Sequence, residues 1–404
     1  MASAPLDSTS SAQALPEPDG DFYLVAKILS KEDNDLRIKV RTFMEEEVQP
    51  IINEFWTTGE FPFDLLPKFR ELQIAGLPIR GYGCPGRSTT LMGFVMMELA
   101  RVDASIATFF GAHTGLAMGS IYLCGSEEQK QRWLPEMAAL RKVGSFGLTE
   151  PEVGSAVSRG LQTTARLEGD TWVLSGQKKW IGNATWADVT IVWARDVADD
   201  QVKGFIVEKG SPGLHVEKIQ NKMALRVVQS GLITLQECRV GEANRLKKAN
   251  SFKDTANVLR LARAAVAWES VGCATGAYEH ALRYAQHRSQ FGRRIARFQL
   301  VQDLLFRMLG NITSMQALCL RLSQLQDQGL MRDEHASLAK GICIVRMRET
   351  VGWARELLGA NGILLDHHIG RFAADAEALY SYEGTREMNA LVVGKAITGF
   401  SAFV

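Results

Sequence analysis

Val301, Leu304, Met308, Ile312, Met315, Leu318, Leu322 and Leu325 recur at spacings of three and four residues. That period keeps one apolar stripe on a single side of a helix of about seven turns. A helix so long needs partners for its stripe, so the pattern predicts a long-helix bundle beyond Asn250. Helical spacing also runs from about Lys31 to Met137, beginning with "LRIKVRTFMEEEVQPII". There the run "TTLMGFVMMELARVDASIATFFGAHTGLAMGSIYL" is apolar almost all round, the signature of buried helices, and "GYGCPGRS" before it reads as a loop.

Between the two helical regions the texture changes. "QTTARLEGDTWVLSGQKKWIGN" alternates, turns at Gly169-Asp170 and alternates again, while "DVTIVWAR", "GFIVEKG" and "GLITLQECRV" are short β-branched runs bounded by turn residues. The expected fold class is therefore α+β: a disordered tail over 1–22, an N-terminal helical domain over 23–145, an antiparallel β domain over 146–250 and a C-terminal four-helix bundle over 251–404. No strand-helix alternation and no GxGxxG after a strand are present, which argues against a nicotinamide-binding Rossmann domain.

Composition narrows the partners. At 404 residues and 46% apolar content the chain can build sizeable cores. Its 46 Lys plus Arg against 45 Asp plus Glu give no field to attract nucleic acid or an anionic membrane. Six cysteines lack CxxC spacing and read as buried thiols of a reducing compartment; no ligand set completes a metal site around His367-His368. The first residues have no Lys or Arg and no apolar core, unlike a signal or transit peptide. No run of about 18 apolar residues is expected to span a bilayer. The default compartment is the cytoplasm.

Four stretches carry chemistry: "FGLTEPEVGSA" at 146–156, "KKWIGN" at 178–183, "RSQFG" at 288–292 with "GANG" at 359–362, and "SYEGTREM" at 381–388. Read alone, each has an ordinary explanation: a turn closed by Glu150-Pro151, a core Trp, a solvated helix end, a charged residue beside a helix start. In this order, on a helix-strand-helix plan, the chain resembles the acyl-CoA dehydrogenase family over nearly its whole length. The segments around "RVDASIATFFGAHTGL" and "GYGCPG" look most like the glutaryl-CoA dehydrogenase branch and its short-chain acyl-CoA oxidase relatives.

The resemblance implies FAD as cofactor, with Phe146, Leu148, Thr149, Ser155, Trp180 and Ile181 beside the flavin and Thr385 also in contact with it. It further implies that Arg288, Gln290, Phe291, Gly359, Ala360 and Gly362 reach the adenosine-pyrophosphate part of FAD in a neighbouring subunit of a homotetramer. Glu383 is implied as the base that removes the α-proton of an acyl-CoA thioester, with Ser155, Arg263, Tyr382 and Gly384 around the substrate. Family members that place the base before the arginine matched by Arg263 have a carboxylate where this chain has Ala262. In the glutaryl branch an arginine and a serine hold the substrate's distal carboxylate; Ala107 and Gly111 stand there, so an uncharged, short acyl chain is expected. Ala156, Gly182 and Ala360 depart from the family's Asp, Thr and Gly. The resemblance leaves two electron acceptors open, an electron-transfer flavoprotein or dioxygen, and the departures also admit a catalytically silent CoA- or flavin-binding scaffold.

Overall fold

The computed structural model describes residues 15–402. Helix α1 (Lys31–Phe43) starts where the Ser30 hydroxyl accepts the Asp33 N–H. In the same way Ser88 caps α2 (Thr89–Val102) and Asp103 caps α3 (Ala104–Gly111). Each cap satisfies a donor that the first turn would leave orphaned. Among the described residues one helical run, Ala104–Cys124, is long and apolar enough to cross a membrane by length and composition, and 61% of an 18-residue apolar stretch within it is buried inside the fold. The expectation that no such run exists therefore fails on composition; burial gives this one the role of a core helix.

The middle region forms seven strands: β1 (Gly144–Gly147), β2 (Thr164–Glu168), β3 (Thr171–Ile181), β4 (Val189–Asp196), β5 (Val202–Glu208), β6 (Leu214–Lys218) and β7 (Gly231–Gly241). Their order is β1-β4-β2-β3-β7-β6, with β5 also paired to β4. The Gly169-Asp170 turn joins β2 to β3 as expected, with Gly169 at φ 64°. The sheet is not wholly antiparallel, because β1 and β2 both run parallel to β4. Side-chain alternation reports which face a residue occupies and is blind to the direction of the neighbouring strand.

Beyond it lie α4 (Phe252–His287), α5 (Gln299–Asp327), α6 (Asp333–Leu357), α7 (Ile369–Ser381) and α8 (Arg386–Thr398). Helices α2 and α4 cross at backbone contact: a Cβ added at Gly272 would lie 2.2 Å from the Met97 carbonyl oxygen, and one at Gly276 2.0 Å from that of Arg101. On α5 the apolar stripe buries Met308, Ile312, Met315 and Leu322, while Cys319 rather than Leu318 is fully inside.

The tail expected over 1–22 needs correction within its described part, residues 1–14 being outside it. The Pro16 carbonyl accepts from Gln286 at 2.8 Å, and Gly20 bonds through its N–H to Glu279 and through its carbonyl to Gln316, both at 3.2 Å. Low apolar content hides such anchoring, since here backbone groups serve as partners for buried polar side chains. Finally, the buried Arg371 of α7 ties the bundle to the α2/α3 junction, donating to Asp103 at 2.5 Å and to the Val102 carbonyl at 2.9 Å. Asp375, one turn on, accepts from Trp56 and from the Leu225 N–H. All three regions meet there.

Candidate active site

A cavity of about 710 Å³ opens at this meeting point, with walls from α3, the exit from β1, the end of β3, α4 and the turn between α7 and α8. Glu383 sits in that turn at φ 54°, followed by Gly384 at φ 84°. Two consecutive left-handed residues, the first with a side chain, cost free energy and persist only when the surroundings hold them. Here they do: the buried Lys340 ammonium donates to the Tyr382 and Gly384 carbonyls at 2.7 and 2.6 Å, and Asn389 donates to Gly384 and Thr385. Thr385 then caps α8 by accepting the Met388 N–H.

The Glu383 carboxylate lines the cavity, and its Oε2 is sealed from solvent with no hydrogen-bond partner. Burial pushes this carboxyl above its ordinary value, against the opposing pull of the Arg263 and Lys340 cations. Arg263 also lines the cavity and keeps its own buried Nε unbonded. A desolvated, unpartnered carboxylate beside a cation is a competent proton acceptor.

A second buried carboxylate, Glu269 of α4, lies on the same cavity wall and was not singled out from the sequence. Its oxygens accept from Thr108 Oγ1 at 2.9 Å and Tyr382 Oη at 2.6 Å. Burial pushes it up to about 7; these two hydrogen bonds pull the other way, and the charge of Glu383 adds to the rise. A lone Glu in an apolar helical run gives no motif, and its partners are 161 and 113 residues away in the chain.

The opposite wall comes from the β domain. Strand β3 breaks register against β7 between Lys178 and Ile181, and Trp180 in that bulge has φ 66° and is 57% exposed. Buried Lys178 points the other way, to the Leu148 carbonyl at 3.0 Å and Glu150 at 2.8 Å. Glu150 in turn accepts the N–H groups of Gln162 and Thr163. The Glu150 that reads as a turn residue is thus a buried anchor that fixes the loop carrying Phe146, Leu148 and Thr149. A Cβ added at Gly182 would meet nothing nearer than Val228 at 3.6 Å and Ala112 at 3.8 Å, so space remains there.

Of the residues singled out in the sequence, the cavity gathers Phe146, Leu148, Thr149, Ser155, Trp180, Ile181, Gly111, Arg263, Tyr382, Glu383, Gly384 and Thr385. Ala107 is corrected: it is fully buried in the core and does not line the cavity, whereas Thr108, one residue on, does. One helical step of about 100° separates the two directions. Arg288, Gln290, Phe291, Gly359, Ala360 and Gly362 also stand outside the cavity of this chain. The first three belong to a surface hairpin in which Phe291 is 91% exposed, the others to a single turn at Gly359–Ile363, and both flank Tyr284.

Comparison with known proteins places this geometry. The acyl-CoA dehydrogenase N-terminal domain matches residues 30–141, the middle domain 145–238 and the C-terminal domain 252–398. The chain belongs to the acyl-CoA dehydrogenase family. It is 32% identical over 374 residues to the short-chain specific acyl-CoA dehydrogenase of Clostridium acetobutylicum, covering 91% of this chain and 98% of that protein. Similarity to the caffeyl-CoA reductase-Etf complex subunit CarC of Acetobacterium woodii is 30% over 370 residues, covering 90% and 97%. Among solved structures, a glutaryl-CoA dehydrogenase from Mycobacterium smegmatis in complex with FADH2 superposes with a TM-score of 0.93 at 33% identity, covering 96% of this chain and 100% of that one. As a member of the acyl-CoA dehydrogenase family, the chain is an oxidoreductase with that family's three-domain fold.

Proposed function

We propose that the cavity binds FAD and an acyl-CoA thioester and that the chain oxidises an uncharged, short acyl group across Cα and Cβ to the trans-2-enoyl-CoA, passing electrons to an electron-transfer flavoprotein. The observation that carries this reading is the Glu383 carboxylate on the cavity wall, which Trp180 also lines, with its Oε2 sealed from solvent and without a hydrogen-bond partner. The residues fit a flavin: the exposed indole at the β3 bulge, the anchored 146–149 loop and the space at Gly182 make a flat, partly apolar recess. Relatives named for short-chain acyl-CoA and for an Etf complex, and a neighbour holding FADH2, support the assignment.

FAD, when bound, supplies the two-electron acceptor. Glu383 takes the α-proton onto its carboxylate, and its own backbone N–H is the donor assigned to the thioester oxygen as enolate charge develops. The Lys340 clamp holds the turn, so that the carboxylate does not swing out to water. Arg288, Gln290 and Phe291, with Gly359, Ala360 and Gly362, are assigned to the adenosine-pyrophosphate of FAD in a neighbouring copy of a homotetramer, for which the exposed surface of all but the buried Gly362 is suited.

Substrate charge gives a direct check. The Lys222 ammonium at the cavity is engaged by the Leu225 and Val228 carbonyls and Ser230, and Arg263, its Nε unbonded, is the lining cation whose charge offsets Glu383, so a distal carboxylate would have to compete with the base for it. Butyryl-CoA should bleach the flavin at least about tenfold faster than glutaryl-CoA, the ratio that about 1.4 kcal/mol represents. Efficient glutaryl-CoA turnover with carbon dioxide release would reverse this assignment and turn Arg263 into its carboxylate partner.

The acceptor is testable on the same preparation. Space beside Gly182 favours a second reading in which dioxygen reaches the reduced flavin and the enzyme is an oxidase. After anaerobic reduction by the best acyl-CoA, the protein should reoxidise quickly with electron-transfer flavoprotein and slowly with oxygenated buffer. Oxygen reaction at the turnover rate with stoichiometric peroxide would instead establish the oxidase.

A further inference from the structure

The cavity carries a polar group that proton abstraction by Glu383 does not use. Glu269 is 2% exposed, yet it lines the cavity. Tyr382 donates to one of its oxygens, and the Thr108 hydroxyl, whose single proton is shared with the Ala104 carbonyl at 2.8 Å, stands 2.9 Å from the other, so each oxygen has at most one donor. A carboxylate oxygen accepts two hydrogen bonds, so capacity for two more remains. Among the described residues no ion pair neutralises it: the Lys340 ammonium, the cation that bears on it, is bonded to the Tyr382 and Gly384 carbonyls. Burying a carboxyl with half of its acceptor capacity unused costs free energy unless a ligand supplies the missing donor.

The rest of the wall supports that choice. Met92, Met96 and Met388 line the cavity and offer adaptable apolar contact for a methylene chain, leaving Glu269 as a polar point along it. Thr108 and Tyr382 hold the carboxylate from two different elements, α3 and the α7/α8 turn, and their own hydroxyls approach each other at 3.4 Å. Two fixed hydroxyl contacts on separate elements keep the remaining lone pairs pointed in constant directions, which is what recognition of a single hydroxyl requires.

Building on the flavin-dependent acyl-CoA reading above, we infer that Glu269 is a specificity-determining residue that accepts a hydrogen bond from a hydroxyl on the substrate's acyl chain. It makes the enzyme selective for hydroxylated short acyl-CoA thioesters. The same carboxylate repels a chain ending in an anion, and a purely apolar chain leaves its acceptors unfilled.

Three five-carbon thioesters isolate the effect, because they differ at the chain end: pentanoyl-CoA, 5-hydroxypentanoyl-CoA and glutaryl-CoA. A shorter pair, butyryl-CoA and 4-hydroxybutyryl-CoA, samples another hydroxyl position. Anaerobic flavin bleaching by the wild-type holoenzyme should give one of the hydroxylated chains a kcat/KM roughly tenfold above its unsubstituted partner, the size of one hydrogen bond to a charged group, with glutaryl-CoA lowest. In Glu269→Leu that preference should vanish; in Glu269→Gln, which keeps an acceptor but loses the charge, rejection of glutaryl-CoA should relax. Equal bleaching by the hydroxylated and unsubstituted wild-type pairs would overturn the inference while leaving the dehydrogenase reading intact. A uniform fall for every thioester in both variants would do the same, assigning Glu269 only to support of the Tyr382 turn. Should no thioester bleach the flavin, both readings fail together, and wild-type data alone decide this even if a variant does not fold.

Discussion

Glu383→Gln should retain bound FAD and acyl-CoA yet lose flavin reduction by about 10²- to 10⁴-fold, the usual range for removing a positioned general base. The amide preserves the shape of the side chain, and the turn that presents it is held by backbone carbonyls accepting from Lys340 and Asn389, which the substitution does not touch. What disappears is the carboxylate's ability to take a proton. Rapid mixing with butyryl-CoA under anaerobic conditions measures this directly. The pH profile provides a second signature. Since burial raises the Glu383 carboxyl, the base is deprotonated and active above that raised value and is lost as pH falls through it, at higher pH than an ordinary carboxylate would show. The variant should lack that limb. A residual rate within about tenfold of wild type, below the range for general-base loss, would move the role elsewhere, and Glu269 is the neighbouring buried carboxylate to test first.

That pair of carboxylates shows how far the sequence could be read. Glu383 is legible because its turn is local: an aromatic residue, the acid, a glycine and a capping threonine follow one another in "YEGT". Glu269 is not, because its meaning comes from Thr108 and Tyr382, brought together by the packing of α4 against α3 and the α7/α8 turn. Ala107 fails for a related reason. Motif matching fixes a position along α3, but the cavity sees a particular face of the helix, and Thr108 and Gly111 occupy it. In the β domain, alternation located the strands and the Gly169-Asp170 turn, yet could not tell that β1 and β2 run parallel to β4. Nor did it show that the lysine preceding Lys179 and Trp180 turns inward to Glu150 while the indole turns outward. Long-period helices were the easiest to read, since a stripe repeated over several turns leaves one way to bury it.

Arg371→Met should destabilise the fold by about 3–5 kcal/mol, the range for breaking a buried ion pair by removing one partner. Arg371 is 1% exposed and bonds Asp103 at 2.5 Å, the Val102 carbonyl at 2.9 Å and Asn53 at 3.2 Å. Its loss leaves Asp103 fully buried with backbone donors such as the Ile106 N–H for company, and removes the cation that also eases Asp375. Arg371→Lys should cost less, because charge survives and the two-pronged donation does not. Replacing both members, as in Asp103→Asn with Arg371→Met, should recover part of the loss, since the uncompensated charge is gone. The sign of the pH dependence separates this mechanism from a packing defect. Burial and the Asp103 charge already push Asp375 up to about 7. A carboxyl raised in the fold costs stability above its unfolded value, and the cost grows as pH climbs toward the folded value. Removing Arg371 raises both carboxyls further, so the stability deficit of the variant should be largest at alkaline pH and shrink as pH drops and the aspartates take up protons. Urea midpoints of wild type and variant across the neutral to mildly acidic range measure it. A deficit that stays constant over that range would assign the loss to the shape of the side chain rather than to the buried charge of Asp103.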